Sequence, residues 1–214
     1  MSMHFGYLAS TGIFAVVFIC AVMLQMYSKA FHPVTYWVTI IATTTVGTTL
    51  ADFSDRSLGI GYAGGSAILL TLLLGSFFVW HRAMGSVSIT TINTPKSEAF
   101  YWLTIIFSQT LGTALGDWVA DTESLGYGAS AIIFGTCLAI TAIAYYKTKI
   151  SHVILFWTAF ILTRPFGAVV GDFLDKPLTE GGLALSRYSA TSTLLLVITF
   201  FIFAFKHRPA RSAH

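Results

Sequence analysis

Seven apolar stretches of about 20 residues follow one another along the chain and constrain its fold more than any other feature. Each is long enough to cross a hydrocarbon core about 30 Å thick. A soluble protein could bury such stretches only beneath long amphipathic or polar segments, which the sequence does not contain. The stretches run approximately over Phe5–Tyr27, Val34–Asp52, Gly61–Trp80, Ala99–Val119, Gly126–Tyr146, His152–Phe173 and Leu183–Phe205.

The composition is also that of a membrane protein. Of the 214 residues, 55% are hydrophobic and 10% are charged, with a mean hydropathy of +0.75. A soluble domain carries about 25% charged residues. In lipid, each segment must satisfy its own backbone hydrogen bonds, and the stretches are too long and too continuous for the strands of a β-barrel. The sequence therefore predicts an all-α integral membrane protein with seven transmembrane helices.

The Lys and Arg residues of the short loops predict the orientation. One side of the membrane carries only Arg56 and Lys176, and the other carries eight bases, which are Lys29, Arg82, Lys96, Lys147, Lys149, Lys206, Arg208 and Arg211. We therefore expect the N-terminus outside and the C-terminus in the cytoplasm. The net charge of +3 belongs to this cytoplasmic rim and does not indicate nucleic-acid binding.

A two-helix unit recurs along the chain, at offsets of 65 and then 55 residues. Its first helix has a tryptophan near the start and a glycine five residues before an aspartate near the end. We place the copies at residues 34–98, 99–151 and 152–214. The matched positions are Trp37, Gly47 and Asp52, then Trp102, Gly112 and Asp117, then Trp157, Gly167 and Asp172.

The segment 1–33 fits only the second half of the unit, because Gly6 and Tyr7 match Gly61 and Tyr62. The chain then forms a single transmembrane domain, 1–214, of three and a half repeats. An outside N-terminus with no preceding span or signal peptide is difficult to insert. We therefore expect a further first helix, with its own acidic motif, to be encoded upstream. A stop codon immediately before Met1 would contradict this expectation.

The segments "YW", "GTTLAD", "GTALGD" and "TRPFGAVVGD" resemble a bacterial membrane-protein family that is defined only as a repeat of unknown function. In that family, four copies of a two-helix unit with a characteristic tryptophan form an eight-helix protein. The resemblance covers essentially the whole chain, which departs from the pattern by lacking the first half-repeat. It implies this fold pattern and a location in the bacterial cytoplasmic (inner) membrane, but it implies no activity.

Units with two spans repeat in the same orientation, so the copies should be related by a rotation axis along the membrane normal. We expect Asp52, Asp117 and Asp172 to converge on one outward-facing region. The glycines Gly47, Gly112 and Gly167 would allow close helix approach. The tryptophans Trp37, Trp102 and Trp157 are expected to be anchors at the cytoplasmic interface.

Seven of the nine acidic residues lie in the motif loops or at the adjoining helix ends, and only Glu98 and Glu180 lie elsewhere. A helix C-terminus disfavours a carboxylate by about 0.3–1 kcal/mol at exposed sites. In the first and third copies, Arg56 or Lys176 could form a structural ion pair with a motif acid. The seven acids are Asp52, Asp55, Asp117, Asp121, Glu123, Asp172 and Asp175.

The middle copy has no base in its own loop, so its acids need a cation, a proton or a distant arginine. Arg164 lies within a span, eight residues before Asp172, and is the candidate partner. We expect Asp117 to lie within ion-pair or one-water distance of Arg164 or of a second motif aspartate. A purely structural pair between Arg164 and an aspartate remains the alternative.

A candidate ion site combines these groups with oxygen ligands in the turn below each aspartate. Its residues are Asp52, Asp117, Asp121, Asp172, Arg164, Gln109, Thr45 and Thr110. The alternative for the hydroxyls is a hydrogen bond to their own helix backbone. We expect no cofactor, because no two histidines lie mid-membrane for a haem and the last stretch contains no lysine for retinal.

Two functions remain open. The first is a small transporter of a cation, or one coupled to protons, that uses carboxylates and hydroxyls as hard oxygen ligands. The second is a membrane scaffold or accessory subunit whose acids form structural ion pairs. An enzyme is not expected, because the sequence shows no nucleophile and base pair and no metal-ligand spacing. The expected partners are the lipid bilayer and a small cation or proton. The identity of the metal, the substrate and the oligomeric state stay open.

Overall fold

The computed structural model describes residues 7–27, 32–53, 60–92, 94–122 and 125–204. This part of the chain forms seven α-helices and contains no β-strand, so the all-α prediction is confirmed. The helices are α1 (Tyr7–Tyr27), α2 (Pro33–Asp52), α3 (Gly61–Met84), α4 (Pro95–Asp117), α5 (Gly126–Lys147), α6 (His152–Asp175) and α7 (Arg187–Ala204).

Local sequence signals explain where several helices begin. Pro33 and Pro95 occupy the first residues of α2 and α4, where the missing N–H costs no hydrogen bond. Gly61 and Gly126 begin α3 and α5 with φ of +71° and +73°, in the left-handed region that favours glycine. This conformation explains why the second helix of the repeat begins with Gly-Tyr in these two copies.

Three helices, α3, α5 and α6, are long and apolar enough to cross a membrane. The chain is therefore a helical protein of membrane type. Among the described residues, two further apolar segments, Thr11–Tyr27 and Tyr188–Ala204, are shorter than a span requires. The helices α2 and α4 have sufficient length, with 20 and 23 residues, but polar side chains reduce their hydropathy. Seven threonines lie in α2 alone.

The chain divides into two compact units. The first contains α1, α2, α3 and α4 up to Ala114, and the second begins at Leu115. In the first unit, α1 packs against α2. In the second unit, α5 packs against α6, and α6 also contacts α7. The core of the second unit contains Tyr127, Phe134 and Val169.

In the first unit, α2 and α4 run in the same direction and in register. The hydroxyl oxygens of Tyr36 and Tyr101 are 2.9 Å apart, and those of Thr48 and Thr113 are 3.5 Å apart. Both pairs join equivalent positions, 65 residues apart, and the two contacts are separated by about 18 Å along each helix. Antiparallel helices could not make both contacts. The first helices of the first two copies therefore run in the same direction.

Glycine allows the helices to approach closely. A Cβ atom on Gly47 would lie 2.9 Å from the Cβ of Gln109 and 3.0 Å from the backbone nitrogen of Thr110. In the second unit, a Cβ atom on Gly116 would lie 3.2 Å from the Cβ of Ala168. Backbones that approach this closely are typical of helix pairs in membranes.

The expected packing glycines therefore have three different environments. Gly47 lies against α4, and Gly112 is buried. The third, Gly167, is exposed and would have no atom within 4 Å of an added Cβ. The close contact of the second unit instead uses Gly116, one turn after Gly112.

Substituting alanine at two equivalent glycines tests this difference. Gly47→Ala should destabilise the protein by about 1–3 kcal/mol, because the backbone of α4 must move to admit the methyl group. Gly167→Ala is the matched control and should be neutral or slightly stabilising, because alanine favours a helix over glycine. Thermal unfolding of both variants in detergent measures the effect. Equal melting temperatures for the two variants would contradict the close contact.

Candidate functional site

The motif aspartates lie at the C-terminal ends of the first helices of the repeats. Asp52 is the last residue of α2, and Asp117 is the last residue of α4. Asp172 lies three residues before the end of α6, which continues to Asp175. All three motif aspartates are half-buried. The carboxylates therefore combine partial burial with a helix end whose dipole disfavours negative charge.

A π-helical segment, Trp118–Thr122, follows Asp117. Phe53, the residue after Asp52, is also π-helical. Such segments are rare and occur frequently at functional sites. Asp121 lies on this segment, but its side chain, like Asp55, Arg56 and Glu123, is outside the described part. The ion pair predicted for Arg56 therefore stays a prediction, and so does the convergence of the three aspartates.

Two bases of the second unit, Arg164 and Lys176, lie against aromatic rings. Arg164 is half-buried in the interior of α6, and its Cζ is 4.6 Å from the centroid of the Phe160 ring. The Nζ of Lys176 is 5.6 Å from the centroid of the Tyr127 ring. Both distances are typical of cation–π contacts. The pairing of Arg164 with Asp117 stays a prediction.

Most of the threonine hydroxyls donate a hydrogen bond to the backbone of their own helix, which was the alternative to binding an ion. Thr45 donates to the backbone oxygen of Ile41 at 2.9 Å, and Thr110 donates to that of Ile106 at 2.8 Å. Thr39, Thr43, Thr44, Thr48 and Thr49 make the same type of bond within α2. A hydroxyl that donates to its own helix keeps its lone pairs, so it can still accept a hydrogen bond or bind a cation.

In the first unit, four buried side-chain atoms have no hydrogen-bond partner among the described residues. They are Gln25 Oε1, Ser66 Oγ, Ser108 Oγ and Gln109 Nε2. A buried polar group without a partner costs about 1–3 kcal/mol. Native proteins contain few such groups, and a bound water or ligand commonly explains them. Among the described residues, no group of three or more His, Cys, Asp or Glu could hold a metal ion.

Glu98 is a buried acidic residue that the repeat pattern does not identify as a candidate site residue. Its side chain is 6% exposed, and the indole Nε1 of Trp102 donates to its Oε1 at 3.2 Å. The Trp102 ring also lies 5.2 Å from the ring of Tyr101 and 6.0 Å from that of Tyr36. Glu98 lies in the first turn of α4, where the helix dipole favours a carboxylate. The spacing of four residues from Trp102 is the signal that could have identified it.

The tryptophans were expected at the lipid interface, but two of them are buried. Trp102 is 2% exposed and Trp157 is 5% exposed, whereas Trp37 is half-buried. Trp102 packs against Tyr36 of α2, and its indole N–H supplies a hydrogen bond to the buried Glu98. Trp157 packs against Phe156 and Phe160 of its own helix.

The repeat matches a known family. Residues 35–86, 100–151 and 155–212 match the family described as Repeat of Unknown Function (DUF347). The chain belongs to this family. The three matched segments confirm the predicted tandem copies, whereas the half-repeat at residues 1–33 stays a prediction. No curated protein and no solved structure matches the chain.

Substituting Glu98 tests its role in this DUF347 protein. Glu98→Ala removes the acceptor of the Trp102 indole N–H and should destabilise the protein by about 1–3 kcal/mol. Glu98→Gln keeps an acceptor oxygen and should recover most of this loss. Lys96→Ala is the control, because Lys96 is an exposed neighbour. Thermal unfolding in detergent distinguishes the variants. Equal stability of Glu98→Ala and Lys96→Ala would contradict the assignment.

Proposed function

We propose that the chain is a multi-pass inner-membrane protein that transports a small cation or a proton, with the helix-end carboxylates as binding groups. The main support is the burial of polar side chains on α2 and α4. Polar groups at membrane depth are costly, and those that face the protein interior usually mark a pathway or an interhelical pair. The buried set includes Thr39, Thr43, Thr104, Ser108, Gln109 and Thr110.

The spacing on α4 supports the same proposal. Gln109, Thr113 and Asp117 follow one another at intervals of four residues, which places them on one face of the helix. A hard cation or a hydronium ion bound at Asp117 would then find another oxygen group about every 6 Å along this face. The carboxylate supplies the charge, and the amide and hydroxyl supply neutral oxygen ligands.

The alternative is a scaffold or accessory subunit that transports nothing. Two observations favour it, namely the tight contact at Gly47 and the bonds that the threonine hydroxyls make to their own backbone. In this case the acids would form structural ion pairs. A flux measurement distinguishes the two functions, because a scaffold carries no ion.

We also propose that all seven helices span the membrane. The helices α2 and α4 are about 30 and 35 Å long, which matches the hydrocarbon thickness. Their polar residues are compatible with a span because many of them are buried in protein. The distribution of Lys and Arg supports an outside N-terminus and a cytoplasmic C-terminus. A C-terminal reporter that is active only in the periplasm would contradict this orientation.

Asp117→Asn is the sharpest test of transport. In proteoliposomes, the wild-type protein should carry protons or one member of a panel of small cations. The variant should fall to the level of empty vesicles, because an amide of the same shape cannot carry the charge. Glu180→Gln is the matched control, since Glu180 lies outside the motif helices. It should retain full flux.

Membrane insertion and thermal stability of both variants must equal those of the wild type for the comparison to hold. Full flux in Asp117→Asn would refute the role of this carboxylate. Absence of flux in the wild type for every ion tested would favour the scaffold.

A further inference from the structure

A groove lies between α5 and α6 of the second unit, at the end of the hairpin where α5 stops at Lys147 and α6 begins at His152. Its volume is about 420 Å³, and pockets for small molecules typically measure about 300–1,000 Å³. Both helices are long and apolar enough to cross a membrane. In a bilayer, the joined ends of two such helices lie at the membrane–water interface, so the groove faces lipid.

The walls of the groove change from polar to aliphatic along its length. At the helix ends, the rings of Tyr145 and His152 lie 4.7 Å apart, and both side chains are exposed. Leu138 and Ala159 line the opposite end, about 10 Å farther along the two helices. A groove that is polar at the interface and apolar toward the bilayer interior matches the polarity of a phospholipid molecule.

The charge at the polar end of the groove selects the lipid headgroup. Lys147 and Lys149 are exposed and precede His152 by five and three residues. The sequence from 126 to 160 contains no aspartate or glutamate, so no acid of this part of the hairpin neutralises the two lysines. Basic segments at the interface attract anionic lipids, and basic pockets between membrane helices bind their headgroups.

The start of α6 provides a further attraction for an anion. Ser151 is the N-cap residue of α6, and its side chain makes no capping hydrogen bond. The cap therefore leaves the first N–H groups of α6 to another acceptor, such as a phosphate oxygen. The helix dipole also favours negative charge at this position. The C-terminal end of α5 has the opposite polarity, but Lys147 lies in its last turn.

We propose that the groove between α5 and α6 binds one anionic phospholipid. Its phosphate lies at Lys147, Lys149 and the start of α6, and an acyl chain lies along the groove from Tyr145 to Leu138. A zwitterionic lipid would fill the apolar part, but its ammonium group would meet the two lysines. Two copies of the chain in the same orientation would bring their lysines together, and like charges disfavour that contact. The site does not depend on the proposed transport function.

Native mass spectrometry of the protein purified in detergent tests the headgroup preference. The probes are dioleoyl phosphatidylglycerol and dioleoyl phosphatidylcholine, which have the same acyl chains. The wild type should retain the anionic lipid with a preference of about tenfold, and Lys147→Gln combined with Lys149→Gln should remove this preference. Arg82→Gln combined with Lys96→Gln is the matched control, because it removes two exposed bases of the first unit. This control should keep the preference.

A second pair of variants tests the apolar part of the groove. Ala142 is an exposed residue that lines the groove, so Ala142→Phe should fill it and at least halve the retention of both lipids. Ile140→Phe is the control, since Ile140 is an exposed apolar residue of the same helix outside the groove. It should retain both lipids as the wild type does. Thermal unfolding of each variant verifies that it is folded.

Several results would overturn the lipid site. Equal retention of the two lipids by the wild type would do so, and so would a preference that survives the loss of Lys147 and Lys149. Displacement of the lipid by inorganic phosphate at the same concentration would indicate a site for a free anion. A dimer that Ala142→Phe dissociates without loss of lipid would show that the groove binds a second copy of the chain.

Discussion

The close parallel contact between α2 and α4 is the constraint on which the first unit depends. Lipid tails are as apolar as leucine, so helices in a membrane associate through close packing and interhelical hydrogen bonds rather than through hydrophobic burial. Gly47 allows the backbones to approach, and the hydroxyl pairs of Tyr36 with Tyr101 and Thr48 with Thr113 fix the register. A larger residue at position 47 would separate the helices at the level of Gln109.

This contact also explains how the polar residues are tolerated. Because α1 and α4 both pack against α2, Thr39, Thr43 and Thr110 are enclosed by protein. The cost of their polarity is reduced by the bonds that their hydroxyls donate to their own helix. The outward-facing surface of α3 is different, since it exposes large apolar residues such as Ile68 and Phe78. The first unit thus combines helices with buried polar side chains and a helix with an exposed apolar surface.

The sequence predicted the features that depend on length and periodicity. The helices, the tandem copies and the end of α2 at Asp52 follow from apolar stretches, a fixed offset and a repeated motif, and α4 ends two residues before the predicted Val119. It did not predict which side chains would be enclosed. Trp102 looks like an interface anchor by its position, but it is buried, packs against Tyr36 of α2 and donates to Glu98.

The same limit applies to the glycines and the helix ends. The contact of the second unit uses Gly116, since the face of a helix that meets its neighbour depends on crossing geometry that the repeat does not encode. The end of α6 at Asp175 and the π-helical segment after Asp117 likewise depend on local backbone hydrogen bonds. Sequence periodicity identifies which small residues recur, but only the tertiary contact shows which of them lies against a neighbouring helix.

Disulfide cross-linking in native membranes tests the parallel contact most directly. The native Cys20 and Cys137 are free and would first be replaced by alanine. Thr48→Cys combined with Thr113→Cys should form an intramolecular disulfide on mild oxidation, because the two hydroxyl oxygens are 3.5 Å apart. Tyr36→Cys combined with Thr113→Cys should not, because these positions are about 18 Å apart along parallel helices. A cross-link in the second pair and none in the first would contradict the account.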